Sequence, residues 1–236
     1  MGLSLSLALV PPALSGEFKV APRAVLELFT SQGCSSCPKA DAMFEQMGRR
    51  PDVVTLAYHV DYWDYIGWRD TFGNEANSDH QRAYAEAWGS SRIFTPQMVV
   101  NGTGGVVGSK ADQVNGALAD AALPLTVALT EQPGNQIDIA VPASPELAGG
   151  TIWLVTFLDR ADVTIERGEN EGKRVAYTHI VTGRQVLGMW DPESGAELTL
   201  PLNEVLTGQS NGAVILVQQE KAGLPGPILG AASFSR

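Results

Sequence analysis

Cysteine is nearly absent from this chain: its 236 residues include two. A framework of several disulfides therefore cannot hold the fold together, because these two have nothing else to pair with. Positive charge is also scarce, with 16 Lys and Arg against 26 Asp and Glu and a net charge of -10. That balance argues against nucleic acid as a partner, since phosphates demand a basic surface, and weakly against anionic membranes. No apolar run approaches the ~18 residues of a membrane-spanning helix, so the chain reads as not membrane-spanning. Low-complexity tracts, heptads and internal repeats are missing too, which leaves an ordinary globular composition. The length suits one large domain or two modest ones.

What is present is concentrated in one tetrapeptide, Cys34-Ser35-Ser36-Cys37. It follows an apolar run, Val25–Phe29, and precedes Pro38 and a helical pattern. Two cysteines at this spacing can close a small disulfide or share a soft metal, and at a strand-to-helix junction they read as a thioredoxin-like redox motif. The bland alternative is a pair of core thiols that happen to lie three apart.

The first half alternates strand and helix signals. Val25–Phe29 and Val53–Tyr58 read as buried strands. Between them Ala40, Met43, Phe44 and Met47 line one helix face, which Gly48 ends. Ser78 with Gln81 forms a capping box for a helix through Trp88. Gln97–Val100 and Val106-Val107 flank a hairpin turn, and Ser109 is placed to cap a last helix. After Leu123 the pattern changes to short β-type runs: Leu125–Leu129, Ile137–Val141, Thr151–Leu158, Val175–Val181, Val186–Trp190, Glu197–Leu200 and Ala213–Gln218. The expected fold is an α/β thioredoxin-like domain over residues 21–123, followed by a mostly antiparallel β-sandwich-like domain over 124–236. Residues 1–20 read as a signal remnant or an amino-terminal extension. Their Leu-rich run and small residues Ala13, Ser15 and Gly16 suit a secretory signal, although no Lys or Arg precedes Lys19. An ordinary amino-terminal strand is the alternative.

Three segments carry a family likeness: Leu26 through Pro38, Tyr58 through Asp70, and Thr95-Pro96-Gln97. With Arg167-Gly-Glu-Asn170 and Gly226 through Ala232, they resemble a secreted thioredoxin-like family of unknown function (DUF 1223). The resemblance covers most of the chain from Val25 onward. It implies a thioredoxin-like domain with a β-rich companion and a periplasmic or secreted location; it brings no proven reaction. It also implies a cis bond before Pro96, beside the disulfide, with the neighbouring backbone of Thr95 free to bind an extended substrate. The alternative is a trans proline opening an edge strand.

The candidate chemistry is thiol–disulfide exchange on protein or small-molecule disulfides or thiols, with no cofactor. Cys34, expected to cap the helix at its amino terminus, is the attacking thiolate, and Cys37, one turn deeper, the resolving thiol. Glu27, in an otherwise apolar strand, is a candidate proton shuttle beneath the cysteines; an edge ion pair is the alternative, and strand parity decides between them. Trp63 and Trp68, in a loop dense in aromatics, either line a peptide groove or pack the helix on the sheet. His59 could join Cys34 and Cys37 in a Cys₂His site for Cu or Zn, although a lone histidine is more often hydrogen-bonded structure. Arg167 through Asn170 and His179 offer no nucleophile–base pairing and read as domain contacts. A binding module with a structural disulfide is the second hypothesis. Composition leaves the oligomeric state open.

Overall fold

The computed structural model describes residues 17–19 and 21–236. The signal-like run over 1–16 lies outside the described residues. The strands are β1 (Glu17–Lys19), β2 (Ala24–Thr30), β3 (Val53–His59), β4 (Gln97–Val100), β5 (Gly104–Val107), β6 (Leu125–Thr126), β7 (Ala128–Gln132), β8 (Gln136–Val141), β9 (Gly150–Thr164), β10 (Arg174–Trp190), β11 (Ala196–Pro201), β12 (Gly212–Lys221) and β13 (Leu224–Ser235). The helices are α1 (Cys37–Gly48), α2 (Glu75–Ala87), α3 (Ala111–Ala119) and the single turn α4 (Leu202–Val205).

Among the described residues the molecule is mixed α/β, with a ten-stranded sheet and a second, three-stranded antiparallel sheet. The large sheet runs β1-β13-β12-β9-β10-β3-β2-β4-β5, with β6 beside β13. β2 and β3 are parallel, whereas β4 lies antiparallel to β2 and β5 antiparallel to β4. β2 and β3 are buried along their whole length, which is why they read as continuous apolar runs.

The expected division at Leu123–Pro124 into two independent units is not what the strands do. β10 adds to the free edge of β3, where Ile180 meets Ala57 in parallel register, so both halves share one sheet. One core likewise draws Val25, Phe29 and Tyr58 together with Phe157, Leu216 and Ile228. The change of pattern at residue 123 marks the end of the helices rather than the end of a core. An open β3 edge would leave backbone groups unpaired, and β10 covers that edge at Ile180 and Ala57.

Three apolar clusters position the site. Leu26, Leu28 and Ala57 on one face of the sheet pack against Ala40 and Phe44 of α1 and Val114 and Leu118 of α3. Val25, Phe29, Val54 and Leu56 on the other face meet Tyr84 of α2 and the inner residues of β9, β12 and β13. The three-stranded sheet β11-β8-β7 covers the far side of β9, β12 and β13 through Ile137, Ile139, Ile152, Ile215 and Trp190.

Several local readings shift. α2 starts at Glu75, where Asn74 is the cap and accepts from the Asn77 amide at 2.9 Å; Ser78 sits inside the helix instead, donating to Asp61. α3 begins after Lys110, so Ser109 does not cap it. The two runs from Val175 to Trp190 join into one long β10 with irregularities after Val181 and Val186. β13 is obscured in the sequence by Pro225, Gly226 and Pro227, residues that weaken a strand pattern.

Candidate functional site

Cys34 and Cys37 are joined as a disulfide where β2 leads into α1. The helix begins at Cys37, with Pro38 in its first turn, where a missing amide proton costs least. Ser36, not Cys34, is the cap residue, and its hydroxyl lies 3.4 Å from Cys34 Sγ. Cys34 is 1% exposed and Cys37 fully buried, whereas Ser35 and Ser36 face solvent.

Gln32 organises the turn that carries Cys34. It is fully buried and each of its polar groups is engaged. Its amide donates to Asp70 Oδ2 at 2.7 Å, and its side-chain oxygen accepts from Trp68 Nε1 at 2.8 Å. Its carbonyl and that of Cys34 both accept from Asn170 Nδ2, at 2.8 and 2.9 Å. On the other side Trp63 Nε1 donates to Thr95 Oγ1 at 2.7 Å, and Trp63 Cβ lies close over Gly33. The Thr95–Pro96 bond is cis, and Pro96 is buried. Pro96 lies against Gly108, whose tight surroundings also include Leu28 and Ala40 of α1. Trp63 and Trp68 thus brace the Thr95–Pro96 segment and the turn that carries Cys34, respectively.

Beneath the turn lies a buried polar group. Parallel register pairs Thr30 with His59, and both continue the face that carries Leu26, Leu28 and Ala57 against α1. Thr30 Oγ1 donates to Asp41 Oδ1 at 2.8 Å. Asp41 follows Cys37 by four residues in α1, which puts the two on one helix stripe. His59 Nδ1 lies 2.9 Å from Asp70 Oδ2. Burial pushes the Asp41 carboxyl up to about 7, against the pull of nearby His59. Burial acts to lower His59, but the Asp70 carboxylate overrides it and the imidazole ends raised. Asp70 is held below the usual carboxylate range, because His59 and the Gln32 and Phe72 amides outweigh its burial. Asp41 Oδ2, His59 Nε2 and the Tyr177 hydroxyl have no hydrogen-bond partner among the described residues.

One sequence expectation and one alternative reading fail here. Glu27 is not beneath the cysteines: it shares the face of Val25 and Phe29, opposite α1, and bonds to His80 Nε2 at 3.1 Å and the Tyr84 hydroxyl at 2.5 Å. Strand parity, which the sequence left open, sends it to the α2 side. His59 is not assembled with Cys34 and Cys37 as a metal triad, since its Nδ1 faces Asp70; among the described residues no group of three His, Cys, Asp or Glu is arranged for a metal. His179 sits away from the sulfurs, bonded to Thr55 Oγ1 at 2.5 Å and facing Asp159. Asp41 and Gln32 were given no role from the sequence, whereas Asn170, read as a domain contact, bonds across to Gln32 and Cys34. A signal existed for Asp41, an acid directly beside the apolar stripe of α1 and one turn after Cys37. For Asn170 the contact spans 136 residues and leaves no local trace.

A family model described as a protein of unknown function (DUF1223) matches residues 25–218. The chain belongs to this family. This DUF1223 chain is also similar to the crystal structure of protein AGR_C_4864 from Agrobacterium tumefaciens, at 32% identity and a TM-score of 0.81, covering 91% of this chain and 95% of that one. The structure of HBP35 of Porphyromonas gingivalis is similar in fold, at 14% identity and a TM-score of 0.59, covering 94% of this chain and 76% of that one. No curated protein matches the chain.

Proposed function

We propose that this DUF1223 protein is a thiol–disulfide oxidoreductase of the cell envelope, using Cys34 and Cys37 in a thioredoxin-like domain. The observation that carries the reading is the disulfide between the chain's two cysteines, set at the start of α1, the helix whose Asp41 follows Cys37 by four residues and is buried with one oxygen unpartnered. The order β3-β2-β4-β5, with β4 reversed and α1 following β2, is the arrangement expected of a thioredoxin-like domain. A periplasmic or secreted location suits a disulfide that must form and persist.

In the reduced protein the Cys34 thiolate attacks a substrate disulfide, expels one substrate thiolate and forms a mixed disulfide. Cys37 then loses its proton and attacks Cys34 Sγ, which releases the second substrate thiolate and restores the Cys34–Cys37 bond. Asp41, with its carboxyl near neutrality, is the group placed to take that proton. Free amides at the start of α1 favour thiolate over thiol.

Replacing Cys37 with Ala removes the resolving thiol, so mixed disulfides through Cys34 accumulate and identify the substrate; a variant that traps nothing, with Cys34 titrating at the free-thiol value of about 8.5, defeats the proposal. Burial of both cysteines favours one other reading, a structural disulfide that stiffens a binding module. That reading requires a midpoint potential below about -300 mV.

A further inference from the structure

The loop between β9 and β10 carries Arg167-Gly-Glu-Asn170, a motif that the redox chemistry leaves unused. It is a closed unit. Ile165 and Lys173 pair through the Ile165 amide at 2.9 Å, the Gly172 amide returns to Ile165 O at 2.8 Å, and the Lys173 amide bonds Asn170 O at 3.1 Å. Gly168 has φ +80, and a Cβ there would lie 3.3 Å from Trp68 Cβ, so the loop is pressed against the aromatic segment. Asn170 is fully buried and its amide is used at both ends: Nδ2 donates to Gln32 O and Cys34 O, and Oδ1 accepts from Lys173 Nζ at 2.7 Å. Lifting the loop would strand these buried groups without partners, which makes the closed position strongly preferred.

The consequence is steric. Trp63 and Ile66 stand over Gly33, and Asn170 clamps the carbonyls of Gln32 and Cys34 on either side of it in the chain. Of residues 31 to 37, Ser35 and Ser36 alone are exposed. An entering sulfur must come into line with the S–S bond, and the approach left to it is across two small serines. We propose that the Asn170-pinned loop makes the Cys34–Cys37 pair selective for low-molecular-weight thiols and disulfides over those carried by proteins; this rests on the oxidoreductase reading above. In the reducing direction a small thiolate RS⁻ bonds to Cys34 Sγ, the Cys34–Cys37 bond breaks and Cys37 leaves as a thiolate that takes up a proton. A second RS⁻ then attacks the sulfur of R, giving RSSR and the Cys34 thiolate. Two RSH are oxidised and one protein disulfide is reduced. Asn170 is a positioning residue here, acting through the turn it holds.

The test uses the full oxidised chain, with reduced glutathione and reduced, unfolded ribonuclease A as donors at equal thiol concentration, read by alkylation gel shift. The wild type should favour glutathione by about a hundredfold, and Asn170→Ala should shrink that preference about tenfold by raising the ribonuclease rate, the scale set by losing buried hydrogen bonds. Lys173→Met, which removes only the ammonium on Asn170 Oδ1, should act in the same direction more weakly and carries the test if Asn170→Ala does not fold. Equal rates with the two donors in the wild type, or a preference unchanged in the variants, overturns the gating role and leaves the oxidoreductase reading standing. A disulfide that neither donor reduces in the wild type or the variants, while a phosphine does, overturns both.

Discussion

The two faces of β2 each bury a carboxylate near a histidine, and the difference between them separates structure from chemistry. On the α2 face Glu27 has both oxygens bonded, one to His80 and one to Tyr84, and Gln218 in turn donates to Tyr84 at 2.8 Å. Burial opposes its charge, but these donors win and hold it below the usual carboxylate range. On the α1 face Asp41 has one oxygen bonded to Thr30 and the other unpartnered, and burial prevails. A closed network stores a fixed charge, whereas an open one leaves a group whose proton can come and go near neutral pH. The open network lies one turn below Cys37.

The comparison can be broken most sharply on the closed side. Glu27→Ala should cost about 3–5 kcal/mol in urea unfolding, the scale for removing one partner from a buried charged network, and should leave sulfur reactivity nearly unchanged. A stability loss below about 1 kcal/mol, or a large change in Cys34 alkylation, would erase the distinction between the faces.

Asp41 sharpens it through pH. Its folded value of about 7 lies above the ordinary 3.8, so the native state binds the extra proton. Stability from this group is therefore present below about pH 4 and lost as pH rises toward 7, by roughly 1.4 kcal/mol for each pH unit between the two values. Asp41→Asn should flatten that slope and gain stability relative to wild type at about pH 8; an unchanged slope between about pH 4 and 7 would contradict the assignment.

The smallest expected effect is at the brace. Trp63→Phe removes the donor to Thr95 Oγ1 while keeping an aromatic ring, and should cost about 1 kcal/mol in thermal or urea unfolding. A neutral change would mean that the indole packs without positioning the Pro96 segment.

Legibility in the sequence follows the range of the interactions. The Cys34–Cys37 pair, Pro38 in the first turn of α1, the strand patterns of β2 and β3 and the hairpin of β4 and β5 are local, and periodicity and spacing expose them. Glu27 was visible as a polar residue in an apolar strand, but its face depends on which neighbours the strand meets, and this sent it to His80 rather than to the sulfurs. Asp41 borders the apolar stripe of α1, and helix periodicity alone does not expose its role because its partner Thr30 lies on a strand. The β10–β3 junction and the Asn170 clamp join residues more than a hundred positions apart, and no composition or spacing records them.

The proposed redox pair, Cys34 and Cys37 coupled to Asp41, has a direct readout. The midpoint potential of the pair, measured against pH in the wild type and in Asp41→Asn, tests it most directly. The expected midpoint lies between about -270 and -120 mV, with a change of slope near pH 7 that the variant lacks. A midpoint below about -300 mV, following the same pH line in both proteins, would contradict it and leave the disulfide a structural one.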